Sequence, residues 1–293
     1  MVGWGVGVMA SAGLADSNRL VVASLNPILS DVAREIGGER VTVIAIMKPG
    51  ANPHTFSPSP ADLQAMHGAR LVLASGKGLE RYLDDVRGGL GTDQTLIEIG
   101  ATLPSLYAVA EDDHDHAGGE DPHWWQSIDN MQRGVRVMAD AFVAAYPAGT
   151  DEFRAGQADY AKRLEVLDLW VRQNVARIPP HARTLATAHA AFGYFCRDYG
   201  FTALPIQGLS TEQEPSPAHL REIVDTIRRE HVIAIFPEVG SNPKILQNMV
   251  QETGVRIGER LLAGSPNPGR PTYEAMMRNN VQAIVTGLRP VEP

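Results

Sequence analysis

Cysteine is almost absent from this sequence, because Cys196 is the only one among 293 residues. An internal disulfide and a cluster of thiolate ligands are therefore excluded, and any bound metal ion must be held by nitrogen and oxygen atoms. Blocks of Lys and Arg are also missing, and the formal net charge is −8. Nucleic acids and anionic membranes need clustered positive charge, so neither is an expected partner.

The N-terminal segment is short and apolar. It reads MVGWGVGVMASAGLADSN, with Gly13 and Ala15 at the −3 and −1 positions of a candidate cleavage site, but without the basic region that usually comes first. We interpret residues 1–15 as an export signal that is weak or truncated at its front, and a frayed apolar N terminus is the alternative. Export predicts a periplasmic protein, and no cysteine near the N terminus supports a lipid tether. No run of 18 apolar residues follows, so the mature chain is not expected to span a membrane.

Short β-rich runs alternate with helical stretches along most of the chain. They form one group before residue 100 and another after residue 183, namely RLVVASL, VTVIAIM, ARLVLAS and TLIEI, then TLATAHA, ALPIQGL, VIAIFPEV and VRIGERL. Such alternation is typical of βα units with mostly parallel sheets. With a hydrophobic fraction of 44%, the pattern predicts an α/β protein of two lobes.

One long helix is predicted between the two groups of strands. Residues 151–178 lack proline, and Pro179-Pro180 follows them. Apolar side chains recur there at three- and four-residue steps, at Phe153, Tyr160, Leu164, Leu167, Val171, Val175 and Ile178. At about 1.5 Å per residue the helix would be on the order of 40 Å long, enough to join both lobes. The predicted division is a first lobe at 16–147, a linking helix at 148–179 and a second lobe at 180–293.

An acidic segment that carries histidines interrupts the first lobe. Residues 111–120, EDDHDHAGGE, contain His114 and His116 and have no periodic apolar pattern. This composition predicts a mobile loop. The two histidines are candidates for loose, auxiliary capture of metal, and a merely solvated tract is an equal alternative.

Three of the nine histidines lie where a strand or a loop ends beside proline or small residues. They are His54 in NPHTFSPSP, His123 in EDPHWWQ and His189 in LATAHAAFGYF. In open α/β sheets ligands collect beyond the carboxyl ends of the strands, so we expect these imidazoles to converge on a cleft. A hydrogen-bonded structural histidine is the alternative for each one taken singly. Four histidines in polar surroundings are given no role: His67, His181, His219 and His231.

Five motifs follow one another along the chain: GANPHTFSPSPADLQAMHGARLVLASGKGLERYL, DPHWW, AHAAFGYFCRDYGF, LSTEQEPSPAHLREIVDTIRREHVIAIFPE and YEAMMRNN. Together they resemble the cluster A-I metal-binding proteins of bacterial ABC importers, the ZnuA/TroA-like family. The resemblance covers nearly the whole chain and implies two (β/α)4 lobes bridged by a long backbone helix, with one transition-metal ion between them. It matches His54 and His123 to the two ligands of the first lobe, and His189 to the first ligand of the second.

Zinc is the metal that this resemblance favours. Manganese members commonly have a carboxylate at the position of His189, whereas zinc members have histidine there and an acidic, histidine-bearing loop before the DPH motif. The chemistry of the residues agrees, because three neutral imidazoles suit Zn²⁺ while Mn²⁺ favours oxygen ligands and a higher coordination number.

The aspartate ligand of many family members has no counterpart here. It stands in a Leu-Tyr-Ser-Asp segment, and the corresponding RLLAGSPNPG has Gly264 at that place. Water or another carboxylate would then complete the coordination. Glu238, which ends a strand in AIFPEVGS, is the tentative fourth ligand, although orienting a histidine is the favoured role for it. Gly264→Asp is expected to tighten metal binding, that of Mn²⁺ most, unless Gly264 has a left-handed conformation.

The leading hypothesis is an extracytoplasmic solute-binding protein that captures Zn²⁺ and delivers it to an ABC-type permease of the inner membrane. We expect a monomer, with a periplasmic zinc chaperone as a further candidate partner. Alternatives with the same fold are a manganese or iron cargo and a surface adhesin. A zinc hydrolase with Glu238 as its base is the alternative from another class, since three histidines and an open position also describe a catalytic zinc site. The lack of HExxH and the spread of ligands over both lobes argue against an enzyme.

Overall fold

Strands and helices alternate through both halves of the computed structural model, which describes residues 19–107, 119–212, 214–239 and 241–289. The first half contains β1 (Leu20–Ser24), α1 (Pro27–Gly37), β2 (Val41–Ala45), α2 (Pro60–Met66), β3 (Leu71–Ala74), α3 (Leu83–Gly89) and β4 (Thr95–Glu98). Two long helices follow, α4 (Ile128–Ala145) and α5 (Thr150–Val175). The second half contains β5 (Thr184–His189), α6 (Gly193–Tyr199), β6 (Thr202–Gln207), α7 (Pro217–Arg229), β7 (Ala234–Phe236), α8 (Pro243–Thr253), β8 (Arg256–Ile257) and α9 (Tyr273–Leu288).

Within the described ranges each half of the chain forms a four-stranded parallel sheet, in the orders β2-β1-β3-β4 and β6-β5-β7-β8. The predicted class, two α/β lobes with parallel sheets and a long helix, is confirmed. In each sheet the first strand lies between the second and the third, so the chain winds to both sides of it and leaves a crevice beyond the carboxyl ends. The lobe limits at residues 147 and 180 stay a prediction.

The helices around the crevice start at residues that cap them well. The Asn26 side chain accepts a hydrogen bond from Ile28 N at 2.8 Å, just before α1 begins at Pro27. Ser59 and Asp62 form a capping box that starts α2 at Pro60. Because α2 directly follows the loop that carries His54, its fixed start also limits the freedom of that loop.

Helix α5 is the long helix that the sequence predicts, with the expected side chains buried along one face. It ends at Val175, three residues before Ile178, the last residue of the predicted apolar repeat, because residues 176–178 tighten into turns ahead of Pro179. It packs on α1 and α4 and also on α9 from the second half. Close contact with α1 requires Gly156, where a Cβ atom would lie 2.3 Å from the carbonyl oxygen of Ile36.

The largest hydrophobic core runs through both lobes. Trp124 and Trp125 from the first lobe and Leu261 and Tyr273 from the second all belong to it. Burying one large apolar side chain contributes roughly 1.5–3 kcal/mol to the free energy of unfolding, so these contacts also stabilise the joint between the lobes. In the described part of the chain, no helix has both the length and the apolar character needed to cross a bilayer.

Candidate metal centre

The structure brings the three predicted histidines together in the crevice between the lobes. His54 lies in the loop between β2 and α2, His123 in the segment ahead of α4, and His189 at the end of β5. One ring nitrogen of each lies within 4.8 Å of the other two, and the ring centroids are 5.1 to 5.3 Å apart. In the described ranges, this is the one group of three or more His, Cys, Asp or Glu side chains close enough to share a metal ion.

The His54 loop is held by its own asparagine. Asn52 Oδ1 accepts a hydrogen bond from His54 N at 3.0 Å, and Asn52 Nδ2 donates to Thr211 Oγ1 of the second lobe at 3.0 Å. The half-buried His54 ring places Nε2 at 3.1 Å from Nε2 of His123. This separation means that the two nitrogens face the same small volume.

His123 is fully buried and is oriented by one carboxylate. Asp121 Oδ1 accepts from the backbone amide of His123 at 2.9 Å and lies 2.8 Å from its Nδ1. A carboxylate oxygen only accepts, so Nδ1 carries the proton and Nε2 keeps the lone pair that faces His54. The Trp125 ring packs edge-on to the imidazole, with centroids 5.5 Å apart.

His189 is oriented in the same way by Glu238. The backbone amide of His189 donates to Glu238 Oε1 at 3.1 Å, and its Nδ1 contacts Oε2 of the same carboxylate. Both side chains are buried, and His189 Nε2 has no hydrogen-bond partner among the described residues. Glu238 does not belong to the group whose donor atoms lie within 4.8 Å of one another.

Burial keeps His54 and His123 neutral. It is the main cause that lowers the pKa of His54 to about 2, and the neighbouring rings of His123 and His189 act in the same direction. Burial also lowers the pKa of His123, against the opposing effect of the Asp121 carboxylate. Neutral imidazoles have free lone pairs at neutral pH, which is the form that binds metal ions.

Gly264 lies beside the loop that carries His54, and there is no space at this position for a side chain. A Cβ atom built on it would be 2.6 Å from Cγ and 2.9 Å from Cδ of Pro53. The left-handed conformation considered from the sequence is not present, because Gly264 is not one of the glycines with positive φ. The expected gain from Gly264→Asp is therefore opposed by overlap with Pro53.

Other predicted residues lie elsewhere. His114 and His116 are outside the described residues. The four histidines given no role, His67, His181, His219 and His231, are not members of the three-histidine group. Cys196 is buried, and burial raises the pKa of its thiol to about 12, so it supplies no thiolate.

Sequence reasoning missed several residues that shape the site. Asp121 had a usable signal, because it stands two positions before His123 in the DPH motif, the spacing at which one carboxylate reaches both the amide and Nδ1. Asn52 stands at the same distance before His54. The contacts of Trp125 and Gln126 with the carbonyl oxygen of Ala263 had no local signal, because they join distant parts of the chain.

The family model described as "Zinc-uptake complex component A periplasmic" matches residues 21–287. The chain therefore belongs to this family of metal-binding, extracytoplasmic substrate-binding proteins of ABC importers. The family consists of solute-binding proteins and not of enzymes, and its expected partners are a metal ion and an ABC permease.

Individual relatives are named for different metals. The chain is 32% identical over 291 residues to the manganese-binding lipoprotein MntA of Bacillus subtilis, covering 95% of this chain and 93% of that protein. It is 28% identical to the iron-binding protein YfeA of Yersinia pestis, covering 96% of this chain and 92% of that protein. The solved structure of the periplasmic zinc-binding protein TroA from Treponema pallidum has a TM-score of 0.84 and 29% identity, covering 93% of this chain and 100% of that one.

These names leave two predictions without support. Manganese-, iron- and zinc-binding relatives match similarly well, so the comparisons do not select zinc. MntA is a lipoprotein by name, so the comparisons do not support the expectation that this chain has no lipid tether.

Proposed function

We propose that this protein captures Zn²⁺ outside the cytoplasm and delivers it to an ABC permease, with the Nε2 atoms of His54, His123 and His189 as ligands. The observation that supports this is the cluster of three imidazoles whose ring nitrogens lie within 4.8 Å of one another. Two nitrogens bound to one tetrahedral zinc ion at about 2.0–2.1 Å are about 3.4 Å apart. The separation of 3.1 Å between the Nε2 atoms of His54 and His123 is close to that value.

The donor chemistry supports zinc over manganese. All three donors are imidazole nitrogens, and the carboxylates of Asp121 and Glu238 are both turned to histidine Nδ1 atoms. Mn²⁺ favours carboxylate and water ligands, whereas imidazole suits Zn²⁺ well. A manganese or iron cargo is the second candidate, because MntA and YfeA are named for these metals.

Glu238 is proposed as a residue that orients His189, and a water molecule or small anion as the fourth ligand. A carboxylate that receives the Nδ1 proton of a ligating histidine fixes its ring and raises the basicity of the other nitrogen. Periplasmic location, a monomeric state and delivery by a zinc chaperone stay predictions. The hydrolase alternative has no support from a family of solute-binding proteins.

The ligands are tested by His54→Ala, His123→Ala and His189→Ala, with zinc affinity measured by competition with a chromogenic chelator. Each change should cost more than the roughly 10- to 100-fold that loss of an outer partner costs. His67→Ala is the matched control, since His67 is exposed and outside the group. Unchanged affinity in all three variants would rule out this site.

The cargo is tested in the cell, because most nitrogen sites bind zinc more tightly than manganese in the test tube whatever their function. A strain that lacks the protein should accumulate less zinc under zinc limitation, and should take up manganese normally under manganese limitation. The opposite result would assign manganese as the cargo and leave the three ligands in place.

A further inference from the structure

A short segment of the second lobe, Leu262–Ser265, contacts both metal-site loops of the first lobe and itself gives no ligand to the histidine group. On one side it receives the residues that follow His123. Trp125 Nε1 donates to the carbonyl oxygen of Ala263 at 2.7 Å, and Gln126 Nε2 donates to the same oxygen at 2.8 Å. Trp125 and Gln126 are buried, so these bonds are shielded from competing water.

On the other side the same segment holds the loop that carries His54. Ser265 Oγ accepts a hydrogen bond from Gly50 N at 2.7 Å. Gly264 packs against Pro53, the residue directly before His54, with no room for a Cβ atom between them. The start of the loop and the residue next to the imidazole are thus both fixed by the second lobe.

The segment is itself tied to the strand end that orients His189. Leu262 N donates to Asn280 Oδ1 of α9 at 2.8 Å, and Asn280 Nδ2 donates back to Leu262 O at 2.8 Å. The preceding residue, Leu261, pairs with Glu238 in a parallel bridge, and its amide donates to Pro237 O at 2.8 Å. Glu238 in turn contacts His189 at the amide and at Nδ1.

We propose that residues 262–265 act as a clamp that sets the distance between His189 and the two histidines of the first lobe, and that Gly264 is the positioning residue on which the clamp depends. This rests on the proposed function, in which the three histidines bind the ion. Any side chain at position 264 displaces Pro53 and with it His54, so the coordination geometry changes although no ligand is altered. The clamp also keeps a carboxylate from position 264 out of the site, which leaves the donor set neutral.

Gly264→Ala is the direct test, because it adds only the overlapping Cβ atom. Zinc affinity should fall by about 10-fold or more, which is the loss typical of a displaced outer partner. The absorption spectrum of the Co²⁺-loaded protein should change, since it reports the geometry of the ligands. Gly88→Ala is the matched control, because Gly88 is exposed in α3 and a Cβ atom there meets no neighbour within 4 Å.

A second experiment removes the overlap between a Cβ atom at position 264 and the Pro53 ring. Pro53→Ala removes the Cγ and Cδ atoms that collide with the new Cβ, so adding Gly264→Ala to Pro53→Ala should cost less than threefold, about the scatter of such measurements. An effect of alanine at 264 that does not arise from the overlap with Pro53 would persist in the double variant. Thermal unfolding of each metal-free protein verifies that the fold is kept. If Gly264→Ala does not fold, Trp125→Phe takes its place, because it keeps an aromatic ring near His123 and removes the donation to Ala263. A weaker zinc site is again expected, and thermal unfolding measures the separate effect of the smaller ring on stability.

The outcomes separate the clamp from the function on which it rests. If His54→Ala binds zinc as the wild type does, the proposed function fails and the clamp fails with it. If His54→Ala loses zinc but folded Gly264→Ala keeps wild-type affinity and an unchanged Co²⁺ spectrum, the clamp alone is overturned. A loss in Gly264→Ala that Pro53→Ala does not relieve also overturns it.

Discussion

Glu238 holds His189 at two points, with one carboxylate oxygen on the backbone amide and the other against Nδ1 of the ring. Asp121 makes the same pair of contacts with His123, although it does so with a single oxygen from two positions upstream. Each buried histidine therefore has a dedicated carboxylate. In both cases the arrangement leaves Nε2 as the nitrogen available to an ion.

Glu238→Gln and Asp121→Asn should weaken zinc binding by similar factors, about 10- to 100-fold each, because both changes remove the negative partner of a ligand and keep its shape. Chelator competition measures the loss. A far larger loss for Glu238→Gln than for Asp121→Asn, together with a changed Co²⁺ spectrum, would mean that Glu238 binds the ion directly.

The metal-free protein should lose stability as the pH falls below about 6.5, the ordinary histidine pKa. The pKa of His54 is lowered to about 2 and that of His123 is lowered too, so the unfolded chain takes up protons that the folded protein does not. For each of these two histidines, the free energy of unfolding falls by up to about 1.4 kcal/mol per pH unit below about 6.5. The loss stops when the pH reaches the pKa of that histidine in the folded protein.

Urea unfolding at pH 7.5 and pH 5.5 measures this effect, and His54→Ala should show a smaller drop than the wild type. Asp31 acts in the opposite sense, because burial raises its pKa to about 6 and the folded protein gains a proton there as the pH falls. Its contribution is common to both proteins and cancels in the difference. Equal drops would show that His54 titrates normally in the folded protein.

Deletion of residues 112–119 should leave the tight zinc site intact and remove weaker zinc binding or slow the capture of the ion. The prediction rests on the sequence, since the deleted residues lie outside the described ranges except for Gly119. Glu120 stays in place, with Oε1 at 2.7 Å from Lys77 Nζ, and keeps the start of the His123 segment attached. Calorimetric titration of zinc into the full chain and into the deletion variant measures both kinds of binding. Loss of the tight site in the variant would mean that His114 or His116 is a primary ligand.

Arg81→Gln should tighten zinc binding by up to a few fold at low ionic strength. Arg81 forms an exposed ion pair with Glu212 across the two lobes at 2.7 Å, and its charge contributes to the lowered pKa of His54. A nearby cation repels an incoming ion, whereas an exposed ion pair adds only about 0–1 kcal/mol to stability. Arg87→Gln, whose partner Glu98 lies in the same lobe, is the control. Weaker zinc binding in Arg81→Gln would instead show that the ion pair between Arg81 and Glu212 strengthens metal binding.

The predictable part of the molecule is the part with local signals. The apolar runs around β1, β3, β5 and β7 fixed the strands, and the spacing from Phe153 to Val175 fixed α5. His189 was recognisable because β5 ends at it, and His54 because it lies between prolines in the loop that follows β2. The helix ends earlier than the apolar repeat indicates, since the turns before Pro179 have no distinct pattern. The last strand, β8, is only Arg256–Ile257, shorter than the run VRIGERL indicates.

The unpredictable part depends on contacts between distant residues. Nothing near Gly264 in the sequence reveals that Pro53 occupies the space of its missing side chain. The bonds from Trp125 and Gln126 to the carbonyl oxygen of Ala263 exist only after the two lobes meet. The sequence therefore shows that Gly264 departs from the family pattern, but it does not show that Pro53 leaves no space for a side chain there.

The three histidines of the proposed metal site are divided between the two lobes, so the complete group exists only when both lobes are folded and docked. His54 and His123 come from the first lobe and His189 from the second, so a truncated or half-folded product offers at most two of the three nitrogens. If the three histidines bind the ion as proposed, a free-metal concentration a thousandfold above the dissociation constant would stabilise the complete protein by about 4.1 kcal/mol. Under the proposed function, only molecules in which both lobes have folded and docked would compete for the metal with the full set of ligands.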